Sequence, residues 1–284
     1  MRRIDHLVAV PNVSEGRDAA TIAQLAASVR EAGARVLDVH SDAVHNRTVV
    51  TAVGDPQKLV EAMASLARAA TVLDLTRHEG VHPRLGVLDV CPFVVDEVPV
   101  EDVVAVARAA GAAIADGAGL PVYLYGYAAT RQECERLPDL RKAARGLSPD
   151  FGPSTIDPRR GVVCVGARGV LIAFNVWLHC DAPKARRIAA AVRAEVGERG
   201  VRALGLDLGD GVAQVSMNLT EPDRAGVDDV YRIVAARAAA EDVDVLATEL
   251  VGLPPARHLP DPDAEAARLL KEPGRSLERA LAGG

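Results

Sequence analysis

Aromatic residues make up only 3% of the 284-residue sequence. Cysteine occurs four times, as Cys91, Cys134, Cys164 and Cys180, and never in a CxxC pair. That spacing argues against a zinc knuckle or a disulfide framework, so buried free thiols are expected. No apolar run approaches the roughly 20 residues that span a bilayer. Met1-Arg2-Arg3 is followed by only a short apolar stretch, Leu7 to Val10, where a secretory signal needs a longer one. A basic excess is also missing: 33 Lys and Arg face 39 Asp and Glu, for a net charge of −6. This argues against a general nucleic-acid or anionic-membrane binder. What is present is a hydrophobic content of 49% with 25% charged residues, enough to bury a core. The length suits one large domain or two of about 100–150 residues, and a cytoplasmic location is expected.

Apolar periodicity sorts the chain into two similar halves. In the first, Ile4–Val10 is a strand, and Ile22, Leu25, Ala26 and Val29 mark one helix face. Strands follow at Ala34–Val39 and Thr48–Val53. Asp55-Pro56 opens a helix buried through Leu59, Met63 and Leu66, and Thr71–Leu75 is expected to close the unit. In the second half, Leu171–Leu178 is a strand, and Asp181 and Pro183 open a helix. Val201–Leu208 and Val212–Leu219 are strands joined by Gly209-Asp210-Gly211, and a helix around Val230 precedes the strand Val243–Leu250. Both halves read β-α-β-β-α-β, the split βαβ or ferredoxin-like order. The expected fold is therefore α+β: two tandem ferredoxin-like subdomains with sheets facing across a ligand cleft. The expected boundaries are 1–160, 161–258 and a peripheral helical tail at 259–284. Between the halves lie a strand at Leu88–Val95, a helix at Val100–Ala115 and a strand at Pro121–Tyr125. The Pro/Gly-rich Leu147–Pro153 is the best linker.

Polar residues in apolar company mark the candidate site. In Gln214–Leu219, strict alternation sets Gln214, Ser216 and Asn218 on one sheet face, fit to line a cleft or to face solvent. Arg77–Arg84 holds two histidines and two arginines, and His82 suits acid–base work because a free imidazole titrates near neutrality. Arg84 could hold a carboxylate in a fork. His78-Glu79-Gly80-Val81-His82 matches the H-E-x-x-H zinc pattern, but Gly80 and Pro83 oppose the helix that chemistry requires, so no metal is expected. In the loop after Ala34–Val39, His40 and Asn46 read as polar pocket groups and His45 as ordinary. Gly161–Val170 carries three glycines without the helix that a dinucleotide site needs.

Several motifs together carry a resemblance: Val10-Pro11-Asn12-Val13-Ser14-Glu15-Gly16-Arg17, His82-Pro83-Arg84-Leu85-Gly86, Leu88-Asp89-Val90-Cys91-Pro92-Phe93, Pro149–Pro153, Gly166-Ala167-Arg168, Ser216-Met217-Asn218-Leu219 and Glu249–Leu253. In this order the sequence resembles the glutamate formiminotransferase family, in its stand-alone form without a cyclodeaminase. The resemblance implies transfer of a formimino group from N-formimino-L-glutamate to tetrahydrofolate, a step of histidine degradation and one-carbon metabolism. It implies tetrahydrofolate as co-substrate, no metal, and a homodimer without nucleic-acid or membrane partners. It makes His82 the catalytic acid/base. It places folate contacts on Gly161, Val162, Val163, Cys164, Val165, Gly166, Ala167, Arg168, Gly169 and Val170, to which the cleft-facing Ser216 and Asn218 are added. Glutamate and the folate tail carry carboxylates, so Arg47, Arg84 and Arg168 are candidate anchors, with His40 and Asn46 beside them. His40 stands where the family motif has a second carboxylate, and Trp177 is a further departure. A related folate enzyme with another one-carbon donor, such as a formyl donor, and a non-catalytic folate-binding protein are the alternatives.

Overall fold

The computed structural model describes residues 7–283. They form a mixed α+β structure with two sheets, divided into two compact units at Arg168/Gly169. Residues 4–6 of the expected first strand lie outside the described residues, as does His6.

In the first unit, β1 (Leu7–Ala9) and β2 (Asn12–Val13) are two pieces of one interrupted strand, both lying between β4 (Arg47–Gly54) and β5 (Leu88–Val95). β3 (Arg35–Asp42) pairs antiparallel with the other edge of β4. Beyond β5 come β7 (Val163–Gly169) and β6 (Val122–Gly126), which pair with each other in parallel. α1 (Ala19–Glu31), α2 (Pro56–Ala70) and α3 (Val100–Ala118) bury one sheet face through Leu25, Val29, Leu59, Met63, Val103 and Ile114. Helix starts follow local chemistry. The Asp18 and Asp55 side chains accept backbone N–H groups of the first turns of α1 and α2, and Pro56 opens α2. The opposite face is covered over β5, β6 and β7 by Cys134, by Leu140 of α4 (Leu137–Ala143) and by Ala144, packed on Val90, Tyr123, Tyr125 and Cys164. The β3–β4 side of that face carries polar groups.

Two expectations fail here. Thr71–Leu75 is not a strand: the Thr71 hydroxyl donates to the Arg68 carbonyl and ends α2, Val72 is exposed, and a 3-10 turn follows at Leu75–Arg77. The place beside β1 goes to β5, with Phe93 opposite Ala9. Leu147–Pro153 is not a free linker: the Val122 amide donates to the Phe151 carbonyl, and the Leu124 amide to the Asp150 carboxylate. β7, whose residues lie within the 161–258 stretch expected to form the second subdomain, is hydrogen-bonded into the first sheet, and the compact units divide after it.

The second unit has the order β11-β8-β10-β9, all antiparallel, from β8 (Ile172–His179), β9 (Val201–Gly209), β10 (Val212–Leu219) and β11 (Val245–Val251). α5 (Ala182–Val196) and α6 (Val227–Ala239) cover the face that bears Phe174, Val176, Val215 and Met217. The tail carries α7 (Glu265–Arg268) and α8 (Leu277–Ala282), and Ala266 sits in this core. The Thr248 hydroxyl donates to the Ala266 carbonyl, which ties the tail to β11.

Candidate active site

The first unit gathers four charged or titratable side chains from distant parts of the sequence. β2 meets β5 through a register shift: Asn12 is opposite Val90 and Val13 opposite Leu88, so Asp89 has no partner residue across from it. Such a bulge re-aims a side chain. The Asp89 carboxylate is fully buried. Its Oδ2 accepts from Arg47 at 2.8 Å and from Arg141 of α4 at 2.5 Å, and its Oδ1 accepts from the Leu85 amide at 2.6 Å. Burial alone would raise the Asp89 pKa, but the two guanidiniums and their hydrogen bonds outweigh it and hold the carboxyl below its usual range. Two cations share one anion, which leaves a surplus positive charge in a largely buried place.

His82 stands at that surplus. Its Nδ1 lies 2.9 Å from the Pro83 carbonyl and 3.4 Å from Arg47 Nη1. Arg141 Nη1 donates to the same carbonyl at 3.2 Å. A carbonyl only accepts, so Nδ1 carries the hydrogen and Nε2 is left with its lone pair. Burial, then the charge of Arg47 and also that of Arg141, push the His82 pKa down to about 3, against the Pro83 hydrogen bond and Asp89. The ring is neutral at physiological pH. The pKa of the ring therefore does not stay near neutrality, where a free imidazole titrates, and its protonated form is disfavoured in this place.

The other predicted residues of this unit fall around it. Arg84 does not offer an open fork: its guanidinium donates to the backbone carbonyls of His45 (2.9 Å), Asn46 (3.1 Å) and His82 (3.0 Å), and it lies against the His78 ring. Burial and then the charge of Arg47 lower its pKa to about 10. Asn46, at a φ of 47°, accepts from the Gly16 amide and donates to the Glu79 carbonyl, so its amide joins three loops. His40 pairs with Val49 two positions from the Asp42–Arg47 pair, which puts it on the same sheet face as Arg47. His78 and His82 lie in a non-helical loop, so the H-E-x-x-H register does not form.

Gly161–Val170 is mostly core. Val163, Val165 and Ala167 point to the helices, Val162 and Cys164 to the opposite cluster, and only Arg168, Gly169 and Val170 are partly exposed. Two of its glycines serve packing: Gly161 has a φ of +69°, and a Cβ there would sit 1.9 Å from the Leu85 carbonyl oxygen, while a Cβ on Gly166 would run into the Tyr125 ring. In the second unit, Ser216 is half-buried and Asn218 exposed on the face away from the helices. Beside them Gln214 is fully buried and neither end of its amide has a hydrogen-bond partner among the described residues. Trp177, directly opposite it on β8, likewise has an unpartnered Nε1, and Lys271 Nζ lies 2.8 Å from the centre of its ring. Sequence reading passed over Asp89 and Arg141 as functional groups. A carboxylate in the run Val87-Leu88-Asp89-Val90-Cys91 was a legible signal, since a buried charge needs a partner. Arg141 had none.

Two family models match the chain: the N-terminal subdomain of the formiminotransferase domain over residues 6–168, and the formiminotransferase domain over residues 173–266. The chain belongs to the formiminotransferase family. A glutamate formimidoyltransferase of Streptococcus pyogenes serotype M1 is 37% identical over 268 residues, covering 89% of this chain and 90% of that protein. One from Thermoplasma acidophilum is 36% identical over 270 residues, covering 89% of each. The formimidoyltransferase-cyclodeaminase of Sus scrofa is 40% identical over 275 residues; the match covers 89% of this chain and 50% of that longer protein.

Proposed function

We propose that this formiminotransferase-family protein is a glutamate formimidoyltransferase. It moves the formimino group of N-formimino-L-glutamate to N5 of tetrahydrofolate, giving 5-formiminotetrahydrofolate and glutamate. The relatives' activity supports the reaction, and one observation carries its assignment to a site: a neutral imidazole, His82, set beside two guanidiniums that share a single carboxylate.

The chemistry suits those groups. Tetrahydrofolate N5 attacks the amidine carbon of the donor, and the π pair moves onto nitrogen. N5 becomes cationic and must lose its proton. His82 Nε2 is the base for that step, and such positioned proton transfer contributes about 10²–10⁴-fold. The surplus charge of Arg47 and Arg141 favours a carboxylate of the donor close to the reacting carbon. Arg84 acts in this reading as a clamp on the His82 and His45 loops and not as a carboxylate anchor. Folate contacts are assigned, as the family resemblance implies, to Arg168, Gly169 and Val170 and, in the second unit, to the polar sheet face of Ser216 and Asn218. We read both units as ferredoxin-like, supported by the order in which the fourth, first, third and second strands of each βαββαβ run lie side by side. The reading includes a cytoplasmic homodimer, as the family resemblance implies.

The test is turnover by the purified protein of formiminoglutamate with tetrahydrofolate, followed by mass spectrometry of the folate product. Formation of the formimino derivative is expected. Turnover with formylglutamate in place of formiminoglutamate would make it a related enzyme with another donor. Folate binding without turnover on either would make it a binding protein.

A further inference from the structure

We propose that Asp42 and His45 form a second acid–base unit of this site, which gives a proton to the departing glutamate nitrogen while His82 takes one from the folate. The assignment rests on the function proposed above. The loop after β3 is built on the Asp42 carboxylate. Its Oδ1 accepts the amides of Val44 at 2.8 Å and His45 at 2.7 Å, and its Oδ2 lies 2.9 Å from His45 Nδ1. The carboxylate can only accept, so Nδ1–H of His45 points at Asp42 and Nε2 faces away from it, with no hydrogen bond among the described residues. An ionised carboxylate that orients an imidazole and balances the charge it acquires is the arrangement of acid–base pairs in acyl transfer.

The pair stands next to His82. The rings of His45 and His82 lie 6.3 Å apart between centres, tilted by 58°. One nitrogen of Arg84 donates to the carbonyls of both residues, at 2.9 and 3.0 Å, so a single guanidinium sets the spacing of the two imidazoles. Their neighbours are opposite in charge: Arg47 and Arg141 beside His82, Asp42 beside His45. Holding the loop explains Asp42's two amide bonds, but not an imidazole brought close to another imidazole.

The proton balance calls for such a partner. Formation of the N5–C bond leaves a proton on N5, which passes to His82 Nε2. Protonated His45 gives its Nε2 proton to the glutamate nitrogen. The C–N bond to glutamate then breaks with its pair on that nitrogen, and the formimino group stays on N5. Cationic His82 and neutral His45 remain, and one proton passing from the first to the second restores the start. His82 alone, surrounded by cations, holds a proton too poorly to carry it to the leaving group.

The test compares formiminoglutamate with formimino-3,3-difluoroglutamate, whose less basic amine leaves with less help from an acid. His45→Gln is expected to lower kcat on formiminoglutamate by about 100-fold with KM within about twofold, and to recover most of the loss on the fluorinated donor. Asp42→Asn should show a smaller loss with the same recovery, and it serves alone if His45→Gln does not fold. His82→Gln should lose activity equally on both donors. A His45 variant that keeps full kcat, or whose loss is the same on both donors, overturns the assignment while the proposed function stands. A wild-type protein inactive on both donors overturns the proposed function, and the assignment with it.

Discussion

At the scale of single residues, the site is defined by which charges are paired with which. His82 stands at about 3 in the folded protein, against 6.5 for a free imidazole. Between those values the unfolded chain binds the proton that the folded site refuses, so this residue makes stability rise with pH across the window and fall as pH drops below 6.5. Urea unfolding of wild type and His82→Gln at about pH 7 and about pH 4.5 should show a smaller loss on acidification in the variant. An equal loss would mean that His82 is not held neutral. Asp89 has the opposite task, to neutralise cations. Asp89→Asn removes the anion shared by Arg47 and Arg141, and breaking such a buried group is expected to cost about 3–5 kcal/mol in denaturant unfolding. A variant as stable as wild type would show that the guanidiniums need no carboxylate. At this scale the sequence was partly legible. His82 stood out because Gly80 and Pro83 removed the helical alternative. Arg84 was visible, but its partners were not, because three backbone carbonyls from two loops converge on it only in the fold.

At the scale of elements, the site depends on how closely two backbones approach. Gly161 and Gly86 face each other across an antiparallel bridge just after the His82 loop, and a Cβ on Gly161 would meet the Leu85 carbonyl at 1.9 Å. The Leu85 amide is also a donor to Asp89. Gly161→Ala should therefore lower the melting temperature and the activity together. Gly197→Ala, with no atom within 4 Å of its Cβ position, should change neither. Equal behaviour of the two variants would remove the close approach from the account. Periodicity identified most elements, because each amphipathic helix has one buried stripe and the strands of the second unit alternate cleanly. It misassigned Thr71–Leu75, whose apolar residues looked like a strand although the Thr71 hydroxyl had already turned the chain at the end of α2. The ligand contacts on Gly161–Val170 came from the family resemblance and not from periodicity; within that stretch Gly161 lies against Leu85 and Gly166 against Tyr125.

At the scale of the whole molecule, the sequence showed the repeat but not its seam. A Pro/Gly-rich stretch is the usual sign of a linker, yet Leu147–Pro153 is tied to β6 through Asp150 and Phe151, and the boundary falls after a strand. Limited proteolysis of the native protein should accordingly spare Leu147–Pro153, since a protease needs exposed, unpaired backbone. Early cleavage there would make Leu147–Pro153 the linker that its composition suggests. The central claim is that the neutral imidazole of His82 moves a proton during one-carbon transfer and is not needed to hold the folate. The most direct measurement is of His82→Ala, with tetrahydrofolate binding by calorimetry and formimino transfer in single turnover made on the same sample. Transfer slowed by at least about 100-fold with folate affinity kept is the predicted result. Undiminished transfer, or binding lost in step with transfer, would contradict it.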